Sequence, residues 1–211
     1  MAYTLIAARQ IAKVSKDVSK MPGTSFNIDA KRCNVGSKLV KKDNTVCSKC
    51  YWLRIQKFRK NVDKASIENY DKTKYYIEND PDVWIKSMVK QISGQKYHRW
   101  FGGGDLINSK MLDCIVEVAK LTPDTKHWIP TKEVNLIRAY KKKMPTNVVV
   151  RVSSPNIEQK PLAGFKHTSM VVKDTNNKVG HLCPSLEQGN SCGDCRACWD
   201  KTVKNITYIY H

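Results

Sequence analysis

Seven of the eight cysteines fall into two groups: Cys33, Cys47 and Cys50 early in the chain, and Cys183, Cys192, Cys195 and Cys198 late in it. Thiolates are soft ligands, and thiols at such short intervals point to zinc or to iron–sulfur chemistry. Cys47 and Cys50 form a C-x-x-C knuckle followed by Tyr51, with Cys33 before them. A structural zinc site asks for four protein ligands, whereas a [4Fe–4S] cluster held by three cysteines leaves one iron open for a substrate or cofactor. The early group therefore reads as a cluster site, provided no late cysteine supplies a fourth ligand. The late group is a C-x8-C-x2-C-x2-C set within "CPSLEQGNSCGDCRACW". Its two adjacent C-x-x-C steps share Cys195, which suits a cubane better than a zinc tetrahedron built from two separated knuckles. Zinc stays the alternative there, and so does a single cluster shared by both groups. Gly189 and Gly193 allow tight turns, and Arg196 is placed to hydrogen-bond a cluster. Cys114 repeats with Met111, Leu112, Ile115 and Val116 at helical spacing and reads as a small buried hydrophobe.

The remaining candidates are polar groups at expected strand ends. Gly102, Gly103, Gly104 and Asp105 follow "YHRWF", where glycines would let a ligand approach the backbone or would simply form a turn capped by Asp105. Lys132 in "IPTKE" and Arg151 with Ser153 in "VVVRVSS" suit a carboxylate or a ribose hydroxyl, against the plain alternative of solvent-facing polarity. His98 and His127 lie on expected strands among aromatics and read first as core residues. His181, two positions from Cys183, has a better claim to ligation.

The elements that would carry these residues alternate. A first amphipathic helix is expected from about Thr4 to Lys20, then a strand in "TSFNIDA" leading into Cys33. The segment "YWLRIQKFRKNV" reads as helical, the Tyr- and Lys-rich stretch to Asp80 is undetermined, and "DPDVWIKSMVKQI" opens with an Asp cap and a Pro in its first turn. Then come strand "YHRWF", helix "INSKMLDCIVEVAKL", strand "KHWIPTK", helix "EVNLIRAYKKKM" and strand "NVVVRVSS". Such alternation predicts an α/β fold of parallel strands joined by right-handed crossovers, with functional loops at the carboxyl ends of the strands. The chain's 211 residues fall short of the roughly 250 of a full eight-stranded barrel, so a partial (β/α) barrel or an open parallel sheet is expected. Residues 1–180 read as the α/β domain and 181–211 as a Cys-rich extension packed on it.

Composition narrows the partners. The net charge is +18, from 37 Lys and Arg against 19 Asp and Glu, which implies anionic partners or a strongly cationic solvated face. "RIQKFRK" and the Lys141–Lys143 run read as solvated helix faces. No window approaches the roughly 20 apolar residues of a membrane span, and the first residues lack the form of a secretory signal. A cytoplasmic setting, with reduced thiols serving a metal, is expected.

Taken together, Cys33, Cys47, Cys50 and Tyr51 followed by "RWFGGGDL" resemble the radical S-adenosylmethionine (radical SAM) enzymes. In that superfamily a first strand leads into a three-cysteine loop, and a second ends in a Gly-Gly-Glu-like motif that receives the methionine amino group. The spacing departs from the family's: thirteen residues, including the lysine-rich "SKLVKK", separate Cys33 from Cys47. The ending "CP....G.SCGDCRACW", the "C-x-x-CY" knuckle and the unit ending in "PTK" further resemble a family of short phage proteins known by a gene-product name. The resemblance implies a radical-SAM-like scaffold, a viral origin and a host cytoplasm. It implies one or two [4Fe–4S] clusters, S-adenosylmethionine at Gly102–Asp105, an electron donor and an unknown small or macromolecular substrate. The alternative is a non-catalytic cluster- or zinc-bearing protein whose basic surface contacts nucleic acid or a host protein.

Overall fold

The side chain of Thr4 accepts a hydrogen bond from Ala7 N (3.1 Å) and starts the first helix, α1 (Leu5–Ile11). The expected helix ends there rather than near Lys20, because side chains of later helices intercept its backbone. Lys13 N donates to Asn69 Oδ1 (2.9 Å) and Val14 N to Gln91 Oε1 (3.1 Å), which draws Val14–Ser15 into a short strand, β1. The computed structural model describes residues 3–16 and 18–210; Asp17, within that expected helix, lies outside them.

Among the described residues the further elements run β2 (Thr24–Phe26), α2 (Gly36–Leu39), α3 (Tyr51–Phe58), α4 (Lys60–Asn79), α5 (Pro81–Ile92), β3 (Tyr97–Trp100), α6 (Ser109–Leu121), β4 (Lys126–Thr131), α7 (Val134–Ala139), β5 (Val148–Ile157), β6 (Thr168–Val172), β7 (His181–Leu182) and β8 (Asn205–Ile209). All eight strands share one sheet, in the order β1-β2-β3-β4-β5-β6-β8-β7. Only the β1–β2 pair is antiparallel among the named strands, so the expected α/β fold with parallel strands is present.

Two helices follow the sequence closely. Asp80 and Asn108 cap α5 and α6 by accepting from Val83 N (3.4 Å) and Met111 N (3.0 Å). Their apolar stripes pack on one sheet face, where Phe26, Trp84 and Trp100 meet with ring centroids 5.9–6.0 Å apart and Cys114 lies buried. Two elements differ from expectation. The undetermined stretch is the 20-residue α4. Helix α7 stops at Ala139, where the extended Tyr140 caps it, so Lys141–Lys143 lie beyond it.

The opposite sheet face carries Ser25, Arg99, Trp128 and Val149 in register across β2 to β5. The C-terminal segment covers it: Trp199, Cys192 and Cys198 pack with Trp128 and Met21. Residues 181–211 were expected as an extension, yet β7 and β8 are strands of the common sheet.

Candidate functional site

Cys33 ends a short turn that leaves β2. Asp29 holds that turn, its carboxylate accepting from Lys31 N and Arg32 Nε, each at 3.0 Å. Gln56, fully buried on α3, donates to Asp29 Oδ1 (2.9 Å) and accepts from Ala30 N (3.0 Å). It therefore ties the helix that begins after Cys50 to the turn that carries Cys33. Between them the loop is pinned to the far end of β5: Val46 N donates to Pro155 O (2.8 Å) and Ile157 N to Asn44 O (2.9 Å). The sulfurs converge on Gly36, where an added Cβ would lie 3.7 Å from both Cys33 Sγ and Cys47 Sγ. Burial pushes the Cys33 thiol up, with Asp105, Cys50 and Cys47 adding to it and Lys132 opposing. Burial raises Cys47 as well, and Lys132 again opposes. The three early cysteines, Asp105 and Lys132 thus form one electrostatic neighbourhood at the strand ends.

The glycine motif is packed rather than open. Gly103 N donates to Asn27 Oδ1 (3.0 Å) and Gly103 O accepts from Ile28 N (3.0 Å). A methyl group on Gly102 would strike the Asn27 side chain, and one on Gly103 the indole of Trp52. Gly104, at φ +87°, takes the left-handed conformation that favours glycine. Asp105 does not cap the next helix, a role Asn108 fills. Its buried carboxylate accepts from Leu106 N (2.8 Å), Thr131 Oγ1 (2.6 Å) and Lys132 N (2.8 Å), stitching the β3 loop to the end of β4. Burial raises its pKa. Glu133, also raised by burial, accepts from Val35 N (3.1 Å) and ties the cysteine loop to that end.

Arg151 and Ser153 are engaged elsewhere. Arg151, 0% exposed, spends four of its five N–H donors on the carbonyls of Ala197, Cys198, Asp200 and Val203, at 2.8–3.0 Å. The guanidinium expected to meet a ligand is the clamp on the Cys-rich segment. Ser153 Oγ pairs with Ser169 Oγ (2.8 Å). His98 and His127 are core residues, as first read: Thr24 Oγ1 lies 2.7 Å from His98 Nδ1, and Trp100 Nε1 donates to His127 Nδ1 (3.2 Å).

Of the late cysteines, Cys192 and Cys198 lie on the sheet face that carries Trp128. Cys195 Sγ is 3.4 Å from His181 Nε2, Cys183 Sγ 3.4 Å from Ser185 Oγ, and Cys198 Sγ 3.4 Å from Tyr208 Oη. Burial pushes Cys198 up to about 12 and raises Cys192. Arg196 turns back to the carbonyls of Gly193 and Cys195 and lies over the Tyr97 ring at 5.3 Å. Arg99, which the sequence did not single out, has Cys198, Cys192 and Tyr208 as its anionic-capable neighbours and stacks on Trp128 at 4.5 Å. Its Nε and Trp128 Nε1 are buried with no hydrogen-bond partner among the described residues. Among those residues, no three Cys, His, Asp or Glu side chains stand close enough to share one metal ion.

Residues 4–201 match the family described as Gene product 88. The chain belongs to the gene product 88 family. That membership agrees with the gene-product resemblance read from the knuckle, the "PTK" unit and the C-terminal cysteines, and the match includes both cysteine groups. No curated protein and no solved structure matches the chain. No helix among the described residues is long and apolar enough to cross a membrane.

Proposed function

We propose that this gene product 88 protein is an iron–sulfur protein on a radical-SAM-like scaffold, acting in a host cytoplasm with an electron donor. Cys33, Cys47 and Cys50 would hold one [4Fe–4S] cluster, and Cys183, Cys192, Cys195 and Cys198 a second. The observation that carries this reading is the convergence of Cys33 and Cys47 on Gly36, beside Cys50 and Lys132, at the carboxyl end of a parallel sheet. Such a donor set fits soft iron. Bound there, the cluster supplies one-electron transfer. Around it Lys132 offsets thiolate charge, while Gln56, Glu133 and the β5 contacts fix the loop. At the late group the half-buried Arg99 and the buried, orphaned N–H groups at Arg99 Nε and Trp128 Nε1 suit an anionic centre, which would relieve the cost of leaving those donors unpaired.

Use of S-adenosylmethionine on an unknown substrate is the finer part of the proposal. It requires Trp52 to move from the face of Gly103, and that occlusion favours the second reading, a non-catalytic protein with a cluster, or zinc at the late cysteines.

Anaerobically purified protein is expected to contain iron and sulfide in equal amounts, about four of each per filled site. Cys47→Ala and Cys195→Ala should each lower that load by about four irons. Full metal content in both variants, or zinc without sulfide in the parent, would sink the cluster assignment.

A further inference from the structure

Positive charge is concentrated around the early cysteines. Residues 36–60 contain eight Lys and Arg (Lys38, Lys41, Lys42, Lys49, Arg54, Lys57, Arg59, Lys60) against a single acid, Asp43. All eight cations are exposed, and none takes part in an ion pair among the described residues. By contrast Lys31 and Arg32, just outside, are paired with Asp63, Asp29 and Asp71.

On α3 the charge is joined by aromatic surface. Tyr51 is 70% exposed and Phe58 72% exposed, and Arg54 between them is also exposed. Positions 51, 54 and 58 lie on one face of a helix, so the two rings flank the guanidinium about 10 Å apart along the axis. Lys57 Nζ adds a cation 5.7 Å from the Phe58 ring centroid. The buried side of the same helix is occupied, with Gln56 in the core and Trp52 against Gly103. The outward face has no packing role that would explain two large rings in water.

We infer that the outward face of α3, with the lysines of the preceding cysteine loop, is a docking surface for single-stranded nucleic acid. Unpaired cations follow a phosphate backbone, and exposed planar rings stack on unpaired bases. A duplex keeps its bases stacked inside and has little use for rings on a convex helix. An acidic protein satisfies the charge and leaves the rings idle. The inference goes beyond the cluster proposal and does not need it, though it places a nucleic-acid strand beside that site.

The test is fluorescence anisotropy of the purified full chain with labelled oligothymidylate, with a duplex of the same length and with polyglutamate as competitors. Iron is measured on the same preparation. Oligothymidylate is expected to bind more tightly than the duplex, with affinity falling steeply as salt rises. Tyr51→Ala with Phe58→Ala should weaken single-strand binding by tenfold or more at unchanged circular dichroism, and Tyr51→Phe with Phe58→Tyr should restore it. Equal binding of duplex and single strand, or indifference to loss of both rings, overturns the inference. Iron-loaded protein that ignores oligothymidylate overturns it and leaves the cluster proposal standing; iron-free protein that binds does the reverse.

Discussion

At the residue scale, several polar groups serve the scaffold rather than a ligand. Trp100 Nε1 can only donate, so His127 Nδ1 must accept, which leaves the ring proton on Nε2 facing Thr122 Oγ1 at 2.9 Å. Burial then lowers the His127 pKa to about 4, and burial takes His98 well below its usual value, with His127 adding to it. Both pKa values are depressed by folding, so their contribution is complete above about pH 6.5 and is lost as pH falls toward 4. For His127 the loss is on the order of 3 kcal/mol. Urea unfolding from pH 4 to 7 should show this slope, and His127→Gln should flatten it; equal slopes in parent and variant would refute the assignment. Such residues also mark what the sequence conceals. Arg151 at a strand end looked like a ligand for a carboxylate, because a guanidinium that clamps four carbonyls cannot be told by residue type from one that awaits a substrate.

At the element scale, legibility followed how each element earns its burial. Helices α5 and α6 bury apolar stripes behind Asp80 and Asn108 caps, so their periods were visible, and β5 was legible from its run of valines, most of them buried. Helix α4 buries Ser66, Asn69, Thr73 and Ile77, a core-facing stripe that is mostly polar and so gives no hydropathy signal. Those polar residues are satisfied by distant partners: Trp84 Nε1 donates to Thr73 Oγ1 (3.1 Å), and Asn69 donates to Lys13 O and Asn27 O and accepts from Lys13 N, each at 2.9 Å. Asn69→Leu would leave three backbone groups without that partner and is expected to cost about 3 kcal/mol. Chemical denaturation of the variant checks it, and a loss under about 0.5 kcal/mol would show that water replaces the amide. The early cysteines were legible as a group from spacing alone. The braces that bring them together were not, because Gln56, Glu133 and the β5 contacts are joined only by folding.

For the whole molecule, a charge of +18 with seven ion pairs among the described residues implies self-repulsion in the compact state. Raising ionic strength from low salt to about 0.3 M should therefore raise the thermal midpoint by several degrees, since screening shortens to below 10 Å. A midpoint that falls or stays level would mean that attractive pairs dominate. The sheet order has a further consequence in time. Strand β8 lies between β6 and β7, so while the chain is being made β6 has a bare edge until residues 205–209 emerge. The Arg151 clamp likewise closes only when residues 197–203 arrive. The late thiols are thus fastened only after residues 197–209 have emerged, long after the early loop has reached its strand, and a newborn chain meets iron or oxidant with its two cysteine groups at different ages.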